Sequence, residues 1–284
     1  MKQLAVAVTL LALCSLSFAG RRGATQLNAE AEAKAALAQK NAAQAAASPL
    51  ATSTCSYTFT SGSNNTYLQY CVTVNGNITQ LTTPLGVEHI AVGSFGEGYG
   101  ICDLASGVAY YDYADFGDSA NWGAPTLLSH TATAVKIARS TSDGVWTLTQ
   151  TITQVAGSAS IKIAMALKNK TAIARGAELV RYADTDIDGI FTNNLSATYS
   201  SAFAWNFSGT EGPYGLMLQA LGNTQHQGFA QDVPGGPDPC NLITHWKSVT
   251  ILTDGSIFLG YYNVVPKSAT KTVTMTYKDT EQVY

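Results

Sequence analysis

The feature that most constrains the fold is a succession of short strand patterns that begins after Ala51 and continues to the C-terminus. About a dozen segments alternate apolar and polar residues, and turns rich in Gly, Asn and Asp separate them. Because no helical period intervenes, the sequence predicts an all-β fold, a large antiparallel two-sheet β-sandwich over residues 51–284. Two small stacked sandwiches are the alternative.

Three turns indicate hairpins within this region. Asn75-Gly76 lies between strand patterns at residues 67–74 and 77–81, and this dipeptide favours a type I′ turn. Ser142-Asp143-Gly144 joins two longer patterns in the same way. Thr253-Asp254-Gly255 predicts a third hairpin between residues 248–252 and 256–262, whereas residues 197–205 read as one uninterrupted strand.

The N-terminus has the pattern of a secretory signal peptide. Lys2 precedes an apolar run that ends in Ser17-Phe18-Ala19, which predicts cleavage after residue 19. Residues 20–50 are rich in Ala and predict a helical spacer, with a docking helix for a partner as the alternative. No later stretch reaches the roughly 18 apolar residues of a membrane span. We therefore expect a secreted, periplasmic or cell-surface protein without a transmembrane segment in the mature chain.

Composition argues against one class of partner. Charged residues make up 12% of the chain and the net charge is -3, so the chain offers no basic field for nucleic acid. Abundant Ser, Thr, Asn and Gly are common in exported β-proteins. We expect a glycan or another cell-envelope component as the partner.

Four cysteines remain after the predicted cleavage, and an oxidising compartment favours pairing them. A hairpin centred on Ser63 would place Cys55 opposite Cys71. That pairing leaves Cys102 with Cys240. Zinc binding is the alternative, although no pair has the spacing of a zinc knuckle.

Three carboxylates recur at alternate positions in Asp184, Asp186 and Asp188, followed by Gly189. On an extended chain they would share one face, and a hard cation would relieve their repulsion. The spacing matches the start of a calcium loop, but Leu195 stands where a bidentate Glu is expected. The three aspartates are therefore candidate ligands of a structural calcium ion, and the competing interpretation is an exposed strand end with solvated aspartates.

A second group of acids depends on the predicted bridge between Cys102 and Cys240. The bridge would bring Glu97 and Asp103 towards the loop that contains Asp238. Paired carboxylates are the catalytic groups of glycosidases, so these three residues are candidates for catalysis. The alternative is that these are ordinary solvated carboxylates next to a loop that the disulfide fixes in place.

Aromatic and acidic residues alternate between residues 110 and 122. Tyr111, Tyr113 and Trp122 could stack on sugar rings while the neighbouring acids accept hydroxyl protons. The alternative is an ordinary strand of the sandwich whose aromatic rings are half-buried against the core.

Two segments resemble a set of exported bacterial β-sandwich proteins that have no established function. They are residues 96–103, with the sequence GEGYGICD, and residues 181–189, with the sequence RYADTDIDG. The resemblance implies a secreted sandwich and transfers no catalytic residue. The strand-rich layout also looks like the large sandwiches of carbohydrate-active proteins.

These observations favour a non-enzymatic envelope or glycan-binding module. The alternatives are a carbohydrate-active enzyme that uses paired carboxylates and a structural or adhesive surface protein.

Overall fold

The computed structural model describes residues 54–90, 96–207, 213–232, 236–242 and 249–280. The predicted signal peptide at residues 1–19 and the predicted spacer at residues 20–50 lie outside this part of the chain. No helix in these ranges is both long and apolar enough to cross a membrane.

The regular secondary structure of the described residues is almost entirely strand, with single 3-10 turns at Asn64–Thr66 and Ile187–Gly189. The strands are β1 (Tyr57–Ser61), β2 (Leu68–Val72), β3 (Ile78–Thr82), β4 (Gly96–Asp103), β5 (Val108–Ala114), β6 (Thr126–His130), β7 (Ala134–Ser140), β8 (Trp146–Gln154), β9 (Ser160–Asn169), β10 (Arg175–Asp184), β11 (Thr192–Ala197), β12 (Ser201–Asn206), β13 (Tyr214–Leu221), β14 (His226–Gln231), β15 (Val249–Asp254), β16 (Ser256–Val265) and β17 (Thr270–Asp279).

Two large antiparallel sheets pack face to face, which confirms the predicted all-β sandwich. The five-stranded sheet has the order β14-β16-β10-β4-β5, and the nine-stranded sheet has the order β15-β11-β12-β13-β17-β9-β8-β7-β6. A third sheet of three strands, β1-β2-β3, was not predicted as separate. Side chains from both large sheets interdigitate in one apolar core.

Alternation along the strands explains which residues form this core. In β9 the apolar side predicted from the sequence, Ile161, Ile163, Met165 and Leu167, is completely buried. In β10 the alternation divides residues between two clusters, because Leu179 faces the nine-stranded sheet while Tyr182 lies on the opposite, outer face. That outer face carries a smaller apolar cluster, to which the segment 236–242 contributes one side chain.

The hairpin predicted around Asn75-Gly76 is confirmed, and its turn reaches into the sandwich. The Tyr99 hydroxyl donates to the Asn75 carbonyl oxygen at 2.8 Å, and Arg181 Nη2 donates to the Gly76 carbonyl oxygen at 3.2 Å. Gly76 has φ +92°, and a Cβ there would collide with the Gln150 amide. Glycine is therefore required by both the turn and the close approach.

Two strand predictions were wrong. Residues 197–205 are not one strand, because the chain reverses after Ala197 and β12 begins at Ser201. Thr253-Asp254-Gly255 does not join a hairpin either. β15 pairs with β11 in the nine-stranded sheet while β16 pairs with β10 and β14 in the other, so the chain crosses between sheets at this point. A local turn signal cannot distinguish such a crossing from a hairpin.

Both predicted disulfides, Cys55–Cys71 and Cys102–Cys240, are present. The geometric reason given for the first was inexact. Cys71 pairs across the ladder with Thr58, because the 3-10 turn at Asn64–Thr66 moves the centre of the hairpin beyond Ser63. Cys55 nevertheless lies close enough, with its Cα 5.5 Å from that of Cys71.

Candidate functional site

Three buried carboxylates converge where β10, the turn after it and β15 meet. Asp184 ends β10, Asp186 precedes the turn Ile187–Gly189, and Asp254 ends β15. One oxygen from each lies within 4.8 Å of the others. At about 5 Å and an effective dielectric constant of about 20, each ionised pair repels by about 3 kcal/mol. The cluster could hold a metal ion, which would remove that repulsion.

The surroundings of the cluster supply more oxygen. The Ser256 hydroxyl donates to Asp184 Oδ1 at 3.4 Å. Asn193 is completely buried, and its Nδ2 donates to the Thr185 carbonyl oxygen at 2.6 Å, between the first two aspartates in sequence. Its Oδ1 has no hydrogen-bond partner among the described residues. Carboxylate and amide oxygens are the ligands of hard cations.

Asp188, predicted as the third ligand, lies outside the cluster, and Asp254 stands in its place. The prediction assumed an extended chain through residues 184–188. Instead the chain turns, Asp188 adopts φ 57°, and its N–H donates to the Glu88 carbonyl oxygen at 2.6 Å. Its side chain is exposed.

Glu97, a predicted catalytic acid, is completely buried between the sheets. Its carboxylate accepts from Arg181 Nε at 2.5 Å and from Arg181 Nη2 at 2.7 Å. The Tyr277 hydroxyl at 2.9 Å and the Ile78 N–H at 2.6 Å complete the set. Burial raises the pKa of Glu97, and the Arg181 guanidinium opposes that shift. This carboxylate is occupied by protein groups and has no solvent access.

The other two predicted acids do not join Glu97. Asp103 is buried and paired with Arg175, and it lies six residues along β4, about 20 Å away at the rise of a strand. Asp238 is exposed, and its Oδ1 accepts from the Cys240 N–H at 2.9 Å. Alternation places Cys102 on the outer face towards Cys240 and Asp103 on the inner face. Glycosidase carboxyl pairs lie about 5–9.5 Å apart, so these acids form no such pair.

The predicted aromatic platform is divided by burial. Trp122 is 2% exposed, and the Arg139 guanidinium lies 5.3 Å from its ring centroid. Tyr113 is 1% exposed and donates its hydroxyl to the Pro237 carbonyl oxygen at 2.8 Å. Tyr111 is partly exposed and stacks on Tyr113 at 5.2 Å. Two of the three rings are therefore core residues with no face open to a sugar.

A different aromatic row lies on the solvent side of the nine-stranded sheet. Phe203 and Trp205 of β12 are partly exposed and stack at 5.3 Å with 29° between ring planes. The intervening Ala204 points into the core, and Phe207 extends the alternation beyond the strand with 63% exposure. Sequence reasoning missed this row, although aromatic residues at alternate positions in F-A-W-N-F were a visible signal.

Together, the fold and these surfaces define an antiparallel β-sandwich with a candidate metal cluster and an exposed aromatic row. No protein-family model matches the chain, and no curated protein matches its sequence.

Among solved structures, the chain is similar to a bacterial glucoamylase complexed with acarbose, at 10% identity and a TM-score of 0.56, over 82% of this chain and 33% of that one. It thus spans about a third of the glucoamylase. A putative aldose 1-epimerase from Escherichia coli K12 matches at 10% identity and a TM-score of 0.46, over 80% and 99% of the two chains. Heparan sulfate lyase HepC from Pedobacter heparinus matches at 9% identity and 0.47, over 80% and 36%. At such identity, the glucoamylase match establishes the shared fold alone.

Proposed function

We propose that this protein is an exported, non-enzymatic glycan-binding module whose platform is the aromatic row Phe203, Trp205 and Phe207. The observation that carries the proposal is the stacked pair of rings on the open side of a sheet, with an exposed third ring two residues further along the chain. The N-terminal signal pattern and the two disulfides favour an oxidising, extracytoplasmic location.

The groups around the row have the chemistry that sugars require. Aromatic faces pack against the apolar faces of sugar rings, and hydroxyl and amide groups beside them exchange hydrogen bonds with sugar hydroxyls. Asn194 and Ser196 of β11 lie directly opposite Trp205 and Phe203 in the ladder, with only 8% and 9% exposure, so they can offer a sugar no more than an edge. On the other side, Met217 of β13 lies opposite Phe203 and widens the apolar strip.

Binding is favoured over hydrolysis by the placement of the acids. A glycosidase needs two carboxyl groups on one sugar-sized cleft, and Glu97, Asp103 and Asp238 point into three different environments. The sandwich fold shared with the glucoamylase is compatible with a carbohydrate ligand and is the weaker support. A structural or adhesive envelope role is the alternative if no sugar binds.

A polysaccharide array and equilibrium binding to its best ligand test this function. Trp205→Ala should weaken binding at least about tenfold, or about 1.4 kcal/mol, because it removes the central ring. Leu127→Ala is the matched control, since Leu127 is also exposed on the same sheet but lies on the edge strand β6. Absence of any wild-type binding across the array, or equal binding by Trp205→Ala, would contradict the platform.

We also propose that the ion held by Asp184, Asp186 and Asp254 is calcium in a structural role. At about 10 mM calcium and a dissociation constant of about 0.1–1 mM, the free energy of unfolding should rise by roughly 1.4–2.7 kcal/mol relative to chelator. Asp254→Asn should abolish the rise. Asp188→Asn should retain it, because Asp188 lies outside the cluster. An identical response of both variants would refute the assignment, and an equal effect of magnesium would refute calcium preference.

A further inference from the structure

A cavity of about 450 Å³ opens on the outer face of the five-stranded sheet. Its wall includes Phe229 of β14, Tyr262 of β16, Glu178 of β10 and Leu242 from the segment that the second disulfide anchors. This volume lies within the range of about 300–1,000 Å³ that is typical of small-molecule sites. The aromatic row is on the other sheet, so the two surfaces are separate.

The floor of the cavity includes one position without a side chain, on β16. Gly260 lies between Gln227 of β14 and Val180 of β10 in the ladder. A Cβ on Gly260 would lie 2.7 Å from Leu242 Cδ1 and 3.2 Å from Phe229. The surrounding side chains therefore already close around the space that the glycine leaves.

Glu178 is the unusual member of this wall. It lies opposite Tyr262 in the ladder and is partly buried, and its carboxylate forms no hydrogen bond or ion pair with any described residue. Burial raises the pKa of its carboxyl, and no cation among the described residues opposes the shift. Glu97, by contrast, has its carboxylate filled by four protein donors. A partly desolvated carboxylate without a partner is costly unless a ligand supplies one.

The other groups of the wall narrow the ligand class. Tyr262 is 42% exposed and presents an aromatic ring beside the carboxylate, an arrangement that attracts an organic cation. Gln227 Nε2 donates to the Gly228 carbonyl oxygen at 2.8 Å and to the Thr198 carbonyl oxygen at 3.3 Å, which leaves Oε1 to accept from a ligand hydroxyl. Phe229 and Leu242 provide an apolar base for a ring.

We propose that this cavity binds an amino sugar, with the ligand's ammonium group against Glu178 and its ring between Tyr262 and the apolar base. This inference does not rest on the glycan platform, since it concerns another sheet and a charged ligand. A neutral sugar would leave the carboxylate without a cation, and an anionic sugar would be repelled by it.

The test compares three small probes on the disulfide-bonded chain: D-glucosamine, N-acetyl-D-glucosamine and D-glucose. Titrations followed by two-dimensional amide NMR locate the site. We expect glucosamine to shift the backbone amides of residues 225–229 and 260–262, and to bind at least about tenfold more tightly than either neutral probe. Glu178→Gln, which keeps the shape of the side chain, should remove that preference. Asp188→Asn removes the same charge at an exposed site and should preserve it.

Several results would overturn the proposal. These are equal affinity for glucosamine and glucose, an unchanged glucosamine affinity in Glu178→Gln, or shifts confined to other surfaces. Trp205→Ala distinguishes this site from the platform, because it should weaken polysaccharide binding at least about tenfold while leaving the glucosamine shifts unchanged. Loss of both in that variant would mean that one surface accounts for all binding.

Discussion

The ion pair between Glu97 and Arg181 yields the sharpest prediction, because sequence and structure assign Glu97 opposite roles. A catalytic acid could be changed to Gln with loss of turnover and little change in stability. In the structure both side chains are completely buried, and Glu97→Gln would leave the Arg181 guanidinium in the core without its anion. The substitution should therefore act on stability.

The expected magnitude follows from the contacts. Breaking a buried ion pair by removing one partner costs about 3–5 kcal/mol, because the remaining charge stays desolvated. The carboxylate now accepts hydrogen bonds from Arg181 Nε and Nη2 at 2.5 and 2.7 Å. In the variant, the amide nitrogen of Gln would face one of these donors and could not accept from it. At about 2–4 °C per kcal/mol for a domain of this size, the melting temperature should fall by roughly 6–20 °C.

Urea unfolding of the oxidised protein, followed by tryptophan fluorescence, measures the change. Glu178→Gln is the matched control and should not lower the free energy of unfolding by more than about 0.5 kcal/mol, since that carboxylate has no partner among the described residues. The double variant Glu97→Gln with Arg181→Met should be less destabilised than the two single changes combined, with a coupling of up to about 3 kcal/mol. A loss below about 1 kcal/mol for Glu97→Gln, or strict additivity in the double variant, would refute the reasoning.

Three further predictions test other parts of the structure. Burial lowers the pKa of His89 to about 4, so the stability that depends on its neutral form is complete above the unfolded value of about 6.5 and is lost as the pH falls towards 4. The difference in free energy of unfolding between wild type and His89→Gln, measured in urea, should therefore shrink by about 2 kcal/mol between pH 7 and pH 5. A constant difference would contradict the assignment. Gly98→Ala should prevent folding or lower the melting temperature sharply, because the new Cβ would overlap the Asp112 carbonyl oxygen, whereas a normal circular dichroism melt would argue against this close approach. Replacing Cys102 and Cys240 by Ser should lower the free energy of unfolding by about 2–5 kcal/mol. The loss should exceed that from removing the Cys55–Cys71 bridge, because the Cys102–Cys240 bridge spans 138 residues. Equal urea midpoints for the two variants would contradict this order.

Local patterns in the sequence were enough to predict much of the fold. Alternation identified β7, β8 and β9, and Asn75-Gly76 specified a hairpin, because strand period and turn chemistry depend on neighbouring residues. The disulfide partners also followed, since placing one pair in a hairpin left a single choice for the other two cysteines. Asp184 and Asp186 were recognised as an acidic pair for the same local reason.

Only the tertiary structure decided which side chains share a site. Asp254 lies beside Asp184 because the chain crosses from one sheet to the other between β15 and β16. The residues of that turn look like those of a hairpin and do not predict the crossing. Arg181 reaches Glu97 across 84 residues, and that pairing converts a candidate acid into part of the core. The aromatic residues Phe203 and Trp205 alternate visibly in the sequence. Alternation shows that they share one face of the strand, but it does not show whether that face is buried or exposed. The packing of one sheet on another makes that choice in β12, because it buries Ala204 and leaves Phe203 and Trp205 on the solvent side.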